Sequence, residues 1–398
     1  MPEKEAEEMT REEILRNQAL DQHMLFFSPL NKKAVFERDG ERPRIYYVPE
    51  KPGVRVLDFG KAEFNFYAPE AKTVTIKGWG GSMPQEYALQ AVEKGYWQCV
   101  AEDVLPGFHY CDFFVDGVRT VNPLAPVGYG GFRVCNFFEM PEADSDFWLL
   151  QDVPHGELRM EQYTSSVNGR VKACWVYTPP GYDAHPRRRY PVLYIQHGAG
   201  ENETGWFWQG KLNYIADNLI AAGKCPEMII VANSGYAFEE GRIDMFLPGD
   251  FDRELTQDCI PFIDKRFRTL ADKDNRAIAG LSLGSAQAFT IGLDHRRDLF
   301  SWIGVFSGGV GYKGMFDSYD VTEAFADGEA FNRDIKLLFV SWGSHEPMGE
   351  RNAAFLDEIE QEKGIRAVRH VHEGWHEWDV WRHAACEYMQ RIFRGEAE

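Results

Sequence analysis

The segment RAIAGLSLG, residues 276–284, decides the fold. Residues 276–280 form a short apolar run typical of a buried strand, and residues 285–292 are predicted to be helical. A serine between two glycines at such a strand-to-helix turn has the pattern of a nucleophile elbow, where the serine backbone is strained and its neighbours must be small. The segment therefore predicts a nucleophilic Ser282. The alternative is that Gly280 and Gly284 only let the helix pack closely on the strand.

The chain around this segment alternates between strand and helix patterns. Strands are predicted at 171–177, 190–196, 228–232, 276–280, 335–342 and 367–372, and helices at 211–222, 255–267 and 285–292. Nearly continuous apolar strands separated by helices are typical of a parallel sheet covered on both faces. Together with the elbow, this order predicts an α/β fold of the α/β-hydrolase type with a mostly parallel central sheet.

The N-terminal part of the chain has a different pattern. Residues 46–145 contain short alternating runs, such as EFNFY at 63–67, broken by glycine and proline, which predicts an antiparallel β-sandwich. Residues 1–45 begin with an acidic helical segment and end in the polar turn ERDG at 37–40, so we interpret them as an N-terminal helical arm. The 398 residues are enough for two domains with separate cores. We therefore expect the second domain, a hydrolase domain, to span 146–398.

Charge and composition exclude several classes of partner. The formal net charge of -19 disfavours binding to nucleic acid or to an anionic membrane surface. The charged N-terminal sequence has no apolar segment of a secretory signal, so we expect a cytoplasmic protein. Seven cysteines without C-x-x-C pairs argue against a disulfide framework and a zinc knuckle. The sequence implies no metal and no organic cofactor, and it is compatible with a homodimer.

A serine nucleophile needs a base, and in this fold the order along the chain is serine, acid, histidine. Six histidines follow Ser282: His295, His345, His370, His372, His376 and His383. His376 lies in the loop EGWHEW, 373–378, after the last predicted strand and before the terminal helix. We therefore predict that His376 is the general base. The alternative is an ordinary loop histidine between Trp375 and Trp378.

The third member should be a carboxylate in a loop after an intervening strand. Glu346 lies in GSHEP, 343–347, directly after the strand predicted at 335–342. Glu350 and Asp357 fall on the following predicted helix, and Asp379 is only three residues from His376, so these are weaker alternatives. Glu346 also has a purely structural explanation, as an acidic residue stabilised by a helix N-terminus.

Acyl transfer also needs donors for the oxyanion and a surface for the substrate. The backbone N–H of Leu283 supplies one donor, and the turn HGAG at 197–200 supplies the other through Gly198 or Ala199, while His197 is expected to brace the turn. Five tryptophans near these motifs are predicted to form a flat pocket for a phenolic acyl group: Trp206, Trp208, Trp375, Trp378 and Trp381. Their alternative role is packing at the sheet edge.

Taken together, the motifs YIQHGAG at 194–200, GLSLG at 280–284 and GWHEW at 374–378 with Trp381-Arg382 resemble the esterase family that holds feruloyl, acetyl xylan and enterochelin esterases, family one of the carbohydrate esterases. The resemblance covers about 155–396. Trp375 replaces a glycine that is usual in the family, and Glu346 replaces a usual aspartate.

This resemblance implies a serine carboxylic ester hydrolase that works through an acyl-enzyme. It favours a feruloyl (hydroxycinnamoyl) esterase acting on plant cell-wall oligosaccharide esters. A siderophore esterase of the enterochelin type and an acetyl xylan esterase are alternatives with the same mechanism. An inactive carbohydrate-binding scaffold is the non-enzymatic alternative.

The segment from about 50 to 145 is similar to early-set, immunoglobulin-like sandwich domains related to family 48 carbohydrate-binding modules. The similarity rests on FNFYAP at 64–69 and DGVRTVNP at 116–123. Such a module either binds glycan or covers the active-site mouth. Trp79, Tyr96 and Trp97 are candidates for a sugar platform, although aromatic residues in strands more often belong to the core.

Overall fold

The structure is a computed structural model that describes residues 31–40, 42–142, 145–238, 250–293, 298–313 and 319–394. The chain divides into two compact units, residues 1–146 and 147–398, one residue from the boundary predicted at 145. Residues 1–30 of the predicted arm lie outside the described residues.

The described part of the predicted arm is a β-hairpin. Strands β1 (Lys32–Asp39) and β2 (Arg42–Pro49) pair in antiparallel fashion, with Phe36 opposite Ile45. The helical-arm prediction is therefore wrong for residues 32–45, and its boundary at 45 falls inside β2. The physical reason is that valine, isoleucine and aromatic residues favour strands, and the polar segment predicted as a turn at 37–40 is mostly the end of β1, with the turn itself at Gly40.

The rest of the first unit is an antiparallel sheet folded onto itself. Its nine strands, β3 to β11, are Val54–Asp58, Lys61–Tyr67, Val74–Gly78, Glu86–Ala91, Tyr96–Ala101, Gly107–Val115, Val118–Thr120, Val127–Gly130 and Arg133–Met140. Their order is β10-β11-β8-β5-β6-β7-β4-β3, with β9 beside β8. Phe64 of β4 meets Phe138 of β11, with ring centroids 5.3 Å apart, although these strands are far apart in the sheet order. The two ends of the sheet therefore face each other across one core.

The second unit is built on an eight-stranded sheet. Strands β12 to β19 are Glu157–Thr164, Val171–Thr178, Val192–Gln196, Ile229–Asn233, Arg276–Leu281, Trp302–Phe306, Leu337–Gly343 and Val368–His372. Their order is β12-β13-β15-β14-β16-β17-β18-β19. The pairings from β15 to β19 are parallel, and β13 pairs in antiparallel fashion with both β12 and β15. The sheet is mostly parallel, as the sequence predicts.

Helices connect these strands and cover the sheet. They are α1 (Gly205–Trp208), α2 (Leu212–Ala221), α3 (Phe251–Arg253), α4 (Ile260–Arg266), α5 (Leu283–Leu293), α6 (Gly328–Asp334), α7 (Gly349–Lys363) and α8 (Trp378–Met389), with a π-helical stretch, Glu254–Cys259, joining α3 to α4. Strands β14 to β18 are buried at every position, as expected where helices cover both faces. No helix among the described residues is both long enough and apolar enough to cross a membrane.

Parallel strands direct their carboxyl ends to one edge of the sheet, where open α/β sheets bind ligands. The loops after β15, β14, β16, β17, β18 and β19 therefore lie side by side in that order. The sequence motifs of interest fall on these loops.

Candidate active site

Ser282 occupies a strained turn between β16 and α5. Its φ is 50°, in the left-handed region that residues other than glycine seldom adopt. A Cβ added at Gly280 would lie 2.3 Å from the carbonyl oxygen of Gly284, and one added at Gly284 would lie 2.5 Å from that of Gln196. Close packing explains the two glycines but not the strained serine, so the turn has the geometry of a nucleophile elbow.

His376 and Glu346 contact each other at the same edge. His376 follows β19, Glu346 follows β18, and His376 Nδ1 lies 3.1 Å from Glu346 Oε2. The carboxylate is buried, whereas the imidazole side chain is 44% exposed. A carboxylate can only accept a hydrogen bond, so His376 Nδ1 is the donor and carries the proton. The other ring nitrogen, Nε2, is then the one that can take a proton from the nucleophile.

Two donors fix the other oxygen of Glu346. Oε1 accepts the Gly343 backbone N–H at 2.9 Å and the hydroxyl of Ser307 at 2.5 Å. Ser307 is buried, has a φ of 53° and directly follows β17, the strand between those of Ser282 and Glu346. Ser307 was not identified from the sequence, although its place directly after the apolar run WIGVF at 302–306 was a usable signal.

The alternative acids have other surroundings. Asp357 pairs with Arg369, Asp379 Oδ2 lies 3.6 Å from His372 Nε2, and Glu350 is exposed on α7. Among the other histidines, His345 pairs with Glu373, His370 and His372 lie on β19, and His295 falls outside the described residues. Glu346 is thus the carboxylate that the fold brings to His376.

His372, Asp379 and His383 form a cluster whose possible ligand atoms lie within 4.8 Å of one another. The rings of His372 and His383 stack with centroids 3.7 Å apart and an interplanar angle of 15°. Nitrogen lone pairs lie in the ring plane, so in stacked rings they run side by side and do not converge on one ion. The cluster as arranged fits ring stacking better than metal binding.

The turn after β14 is braced by His197. This buried side chain accepts the Gly235 N–H at Nε2 (3.0 Å) and donates from Nδ1 to the Gly198 carbonyl (2.8 Å). Burial lowers the pKa of His197 to about 4, so the ring is neutral near pH 7. A Cβ added at Gly198 would lie 3.4 Å from Ser282 Cβ, so the turn lies directly beside the nucleophile.

One predicted oxyanion donor is already engaged. The Gly198 N–H donates to Glu201 Oε2 at 3.3 Å, so of the two predicted donors Ala199 is the better candidate. Leu283 is the first residue of α5, and an N–H at that position has no acceptor within its own helix. Glu201, a buried carboxylate beside this turn, was missed because nothing in the sequence indicated its burial.

Most of the predicted substrate-binding tryptophans are packed beneath the site. Trp206 and Trp378 are each 1% exposed, and Trp381 is also buried, so the substrate-binding prediction is wrong for these three. Trp378 packs edge-on against Trp206 and Trp381, at 5.3 and 5.2 Å. The other two tryptophans, Trp208 and Trp375, are half-buried. The Trp208 ring contacts the Trp175 ring, and the Trp375 ring stacks on that of His345.

An aromatic pair that the sequence analysis did not identify lies next to the turn. The rings of Tyr236 and Phe238, after β15, stack with centroids 5.6 Å apart and an interplanar angle of 9°. The Tyr236 hydroxyl accepts the Gly200 N–H at 2.7 Å, and Phe238 is 45% exposed. This pair therefore offers apolar surface next to the turn.

The aromatic candidates of the first unit also have protein partners. The Tyr110 ring stacks on Trp79 at 4.6 Å, and the Arg133 guanidinium lies 4.0 Å from the Trp79 ring centre. Trp97 is half-buried and donates to the Ala68 carbonyl at 2.9 Å. Glycan binding by this unit stays a prediction.

Comparison with known proteins places these features in a family. The model of the family described as "Putative esterase" matches residues 164–391. An endo-1,4-beta-xylanase/feruloyl esterase of Xylanibacter ruminicola is 35% identical over 375 residues, which are 89% of this chain and 49% of that protein. The chain thus spans about half the length of this curated relative.

Solved structures share the fold. A ferulic acid esterase of Anaeromyces mucronatus in complex with ferulic acid aligns with a TM-score of 0.52 and 21% identity, covering 62% of this chain and 94% of that one. The enterobactin esterase of Shigella flexneri aligns with a TM-score of 0.58 and 15% identity, covering 90% and 95%. The predictions of an esterase-family chain and an α/β-hydrolase-type fold are confirmed.

Proposed function

The chain belongs to the Putative esterase family, and we propose that it hydrolyses esters of hydroxycinnamic acids, such as ferulate, with plant cell-wall oligosaccharides. The observation that carries this proposal is the contact of His376 with the buried Glu346 at the sheet edge that also bears the Ser282 elbow. The 35% identity to a protein named as a xylanase and feruloyl esterase supports the substrate class.

In the proposed cycle, Ser282 attacks the ester carbonyl while His376 Nε2 takes its proton. Glu346 stabilises the imidazolium, and the N–H groups of Leu283 and Ala199 bind the tetrahedral oxyanion. Collapse breaks the bond to the sugar oxygen, which receives the proton from His376, and leaves the acyl group on Ser282. Water activated by the same histidine then releases the free acid.

The acyl group is expected to lie near the loop after β15. We call the turn at 197–200, which follows β14, the oxyanion turn. In the sheet, β14 lies between β15 and β16, so Tyr236 and Phe238, which follow β15, flank the oxyanion turn on the side away from β16. An exposed aromatic surface suits the planar ring of a hydroxycinnamoyl group. This pair takes the role that the sequence analysis gave to Trp206, Trp378 and Trp381.

A catecholate siderophore ester is the second candidate substrate. The likeness to the enterobactin esterase structure extends over 90% of the chain. The net charge of -19 disfavours an anionic siderophore complex, so we rank this candidate below ferulate esters.

The first unit, in this proposal, is an early-set module, and glycan binding is the activity proposed for it. Its support is the antiparallel sheet folded around one core. The cytoplasmic location and the homodimer stay predictions.

A side-by-side assay tests the proposal. Methyl ferulate, acetylated xylo-oligosaccharide and a catecholate trilactone are each incubated with the protein, and the released acid is measured. Ser282→Ala serves as the matched inactive control. Fastest release of ferulate is expected, whereas faster release from another ester, or equal release by the control, contradicts the proposal.

A further inference from the structure

Glu201 is a buried carboxylate with no part in the cycle above. It is 6% exposed and lies three residues after Gly198. Its oxygens contact two parts of the site: Oε2 accepts the Gly198 backbone N–H at 3.3 Å, and Oε1 accepts the indole Nε1–H of Trp378 at 2.9 Å. Burial of a carboxylate is costly unless donors compensate it, and these two donors contribute to that compensation.

On one side, Glu201 holds the oxyanion turn. A Cβ added at Gly198 would lie 3.4 Å from Ser282 Cβ and 3.6 Å from Glu201 Oε2, so this glycine is close to both the nucleophile and the carboxylate. The bond to Glu201 fixes the peptide plane that carries the Gly198 N–H. The next amide, that of Ala199, is thereby left for the substrate.

On the other side, Glu201 holds the start of α8. Trp378 is the first residue of this helix, two residues after His376. A Cβ added at Gly210 would lie 2.9 Å from the Trp378 ring, so a glycine makes room for the indole. Trp381 contacts both the Trp378 ring and the His376 ring, each at 5.2 Å. The position of Trp378 is thus linked to that of the general base.

We propose that Glu201 is a positioning residue that couples the oxyanion turn to the loop bearing His376. A single carboxylate bonded to both segments sets the distance between the oxyanion donors and the base, without itself touching the substrate. Displacement of catalytic groups by about 1 Å costs about 100-fold in rate, so loss of this link should lower kcat. The inference rests on the proposed function.

The primary test is Glu201→Gln. Gly198 and Trp378 donate to different oxygens of Glu201, and an amide places an NH2 at one of these two positions, so one of the two donors then faces another donor. We expect kcat on p-nitrophenyl acetate to fall about 100-fold, with KM changed less than about twofold. The matched control is Glu203→Gln, a half-buried acid in the same loop, which should leave kcat unchanged. Wild-type kcat in Glu201→Gln overturns the inference.

A second variant covers the case in which Glu201→Gln does not fold. Trp378→Phe keeps an aromatic ring and removes the indole N–H, and we expect a loss of about tenfold in kcat. When both single variants fold, the double variant should be no slower than Glu201→Gln alone, because one link is broken in each case. Wild-type kcat in Trp378→Phe, or fully additive losses, overturns the inference.

Affinity for phenylboronic acid separates positioning from a merely structural role. This probe forms a tetrahedral adduct with an active-site serine, so its affinity reports on the oxyanion donors and the base together. In Glu201→Gln the affinity for phenylboronic acid should fall by about the same factor as kcat. The melting temperature of this variant should stay close to that of Glu203→Gln. Unchanged affinity overturns the inference, whereas failure of the wild type to release ferulate contradicts only the proposed substrate.

Discussion

His376 Nδ1 lies 3.1 Å from Glu346 Oε2, and the two residues follow the neighbouring strands β19 and β18. The carboxylate is buried and fixed by Ser307 and Gly343, while the imidazole is partly open to solvent. This arrangement suits an acid that orients a base, because the acid stays in place while the base exchanges protons with the substrate.

Replacement of Glu346 by Gln is expected to lower kcat at least about 100-fold, because a neutral amide no longer stabilises the imidazolium. Steady-state hydrolysis of methyl ferulate measures the effect. Glu350→Gln, an exposed acid on the adjacent helix α7, is the matched control and should retain wild-type kcat. If the two variants behave alike, the acid role belongs to another carboxylate.

Ser307→Ala removes one of the two donors to Glu346 Oε1. A hydrogen bond to a charged group contributes about 1.5–3 kcal/mol. Without it the Glu346 carboxylate is held less firmly against His376, so we expect kcat to fall by about tenfold or more. Ser166→Ala removes an exposed hydroxyl that donates to Asp258 at 2.9 Å and has no contact with the site residues, so it should leave kcat unchanged. Equal rates for both variants would show that Ser307 does not support Glu346.

Phe238→Ala is expected to discriminate between substrates. Loss of an aromatic contact worth about 1 kcal/mol should raise KM for methyl ferulate about fivefold and leave KM for p-nitrophenyl acetate unchanged. Met160→Ala, at a similarly exposed apolar residue on the edge strand β12, is the control. A parallel change for both esters would contradict acyl-group binding at Phe238.

His197 makes stability depend on pH. Its pKa is about 4 in the folded protein, because of burial, against 6.5 for an ordinary imidazole. Between these values the unfolded chain binds the proton and the folded protein does not, so the free energy of unfolding falls as the pH falls. The loss should reach about 2 kcal/mol by about pH 5.

Urea denaturation at about pH 7 and about pH 5 measures this loss. His197→Gln has no titrating group at this position and should lose about 2 kcal/mol less than the wild type over the same interval. The same pH dependence in both proteins would exclude His197 as the source.

Much of the second unit follows from local sequence. The apolar run before Ser282 and the glycines on either side specify a strand, a turn and a helix, and the structure has β16, the elbow and α5 there. Glu346 was also identifiable, because the carboxyl ends of parallel strands meet at one edge and few carboxylates directly follow a strand.

Other features depend on contacts between segments distant in sequence. Trp378 is buried because α1 packs against it and Gly205 and Gly210 leave room for its indole, and the sequence around His376 does not encode that contact. Glu201 is buried because Trp378 supplies a donor from 177 residues away. The hairpin at 32–49 was missed because its polar turn resembles the end of an arm.

Covalent labelling tests most directly whether Ser282 is activated by His376. A fluorophosphonate phosphonylates an activated serine, with loss of fluoride, and peptide mass mapping locates the adduct. The account predicts a single adduct on Ser282 in the wild-type protein and, in folded His376→Ala, labelling slower by at least about 1,000-fold. An adduct on another residue, or wild-type labelling of Ser282 in His376→Ala, would contradict it.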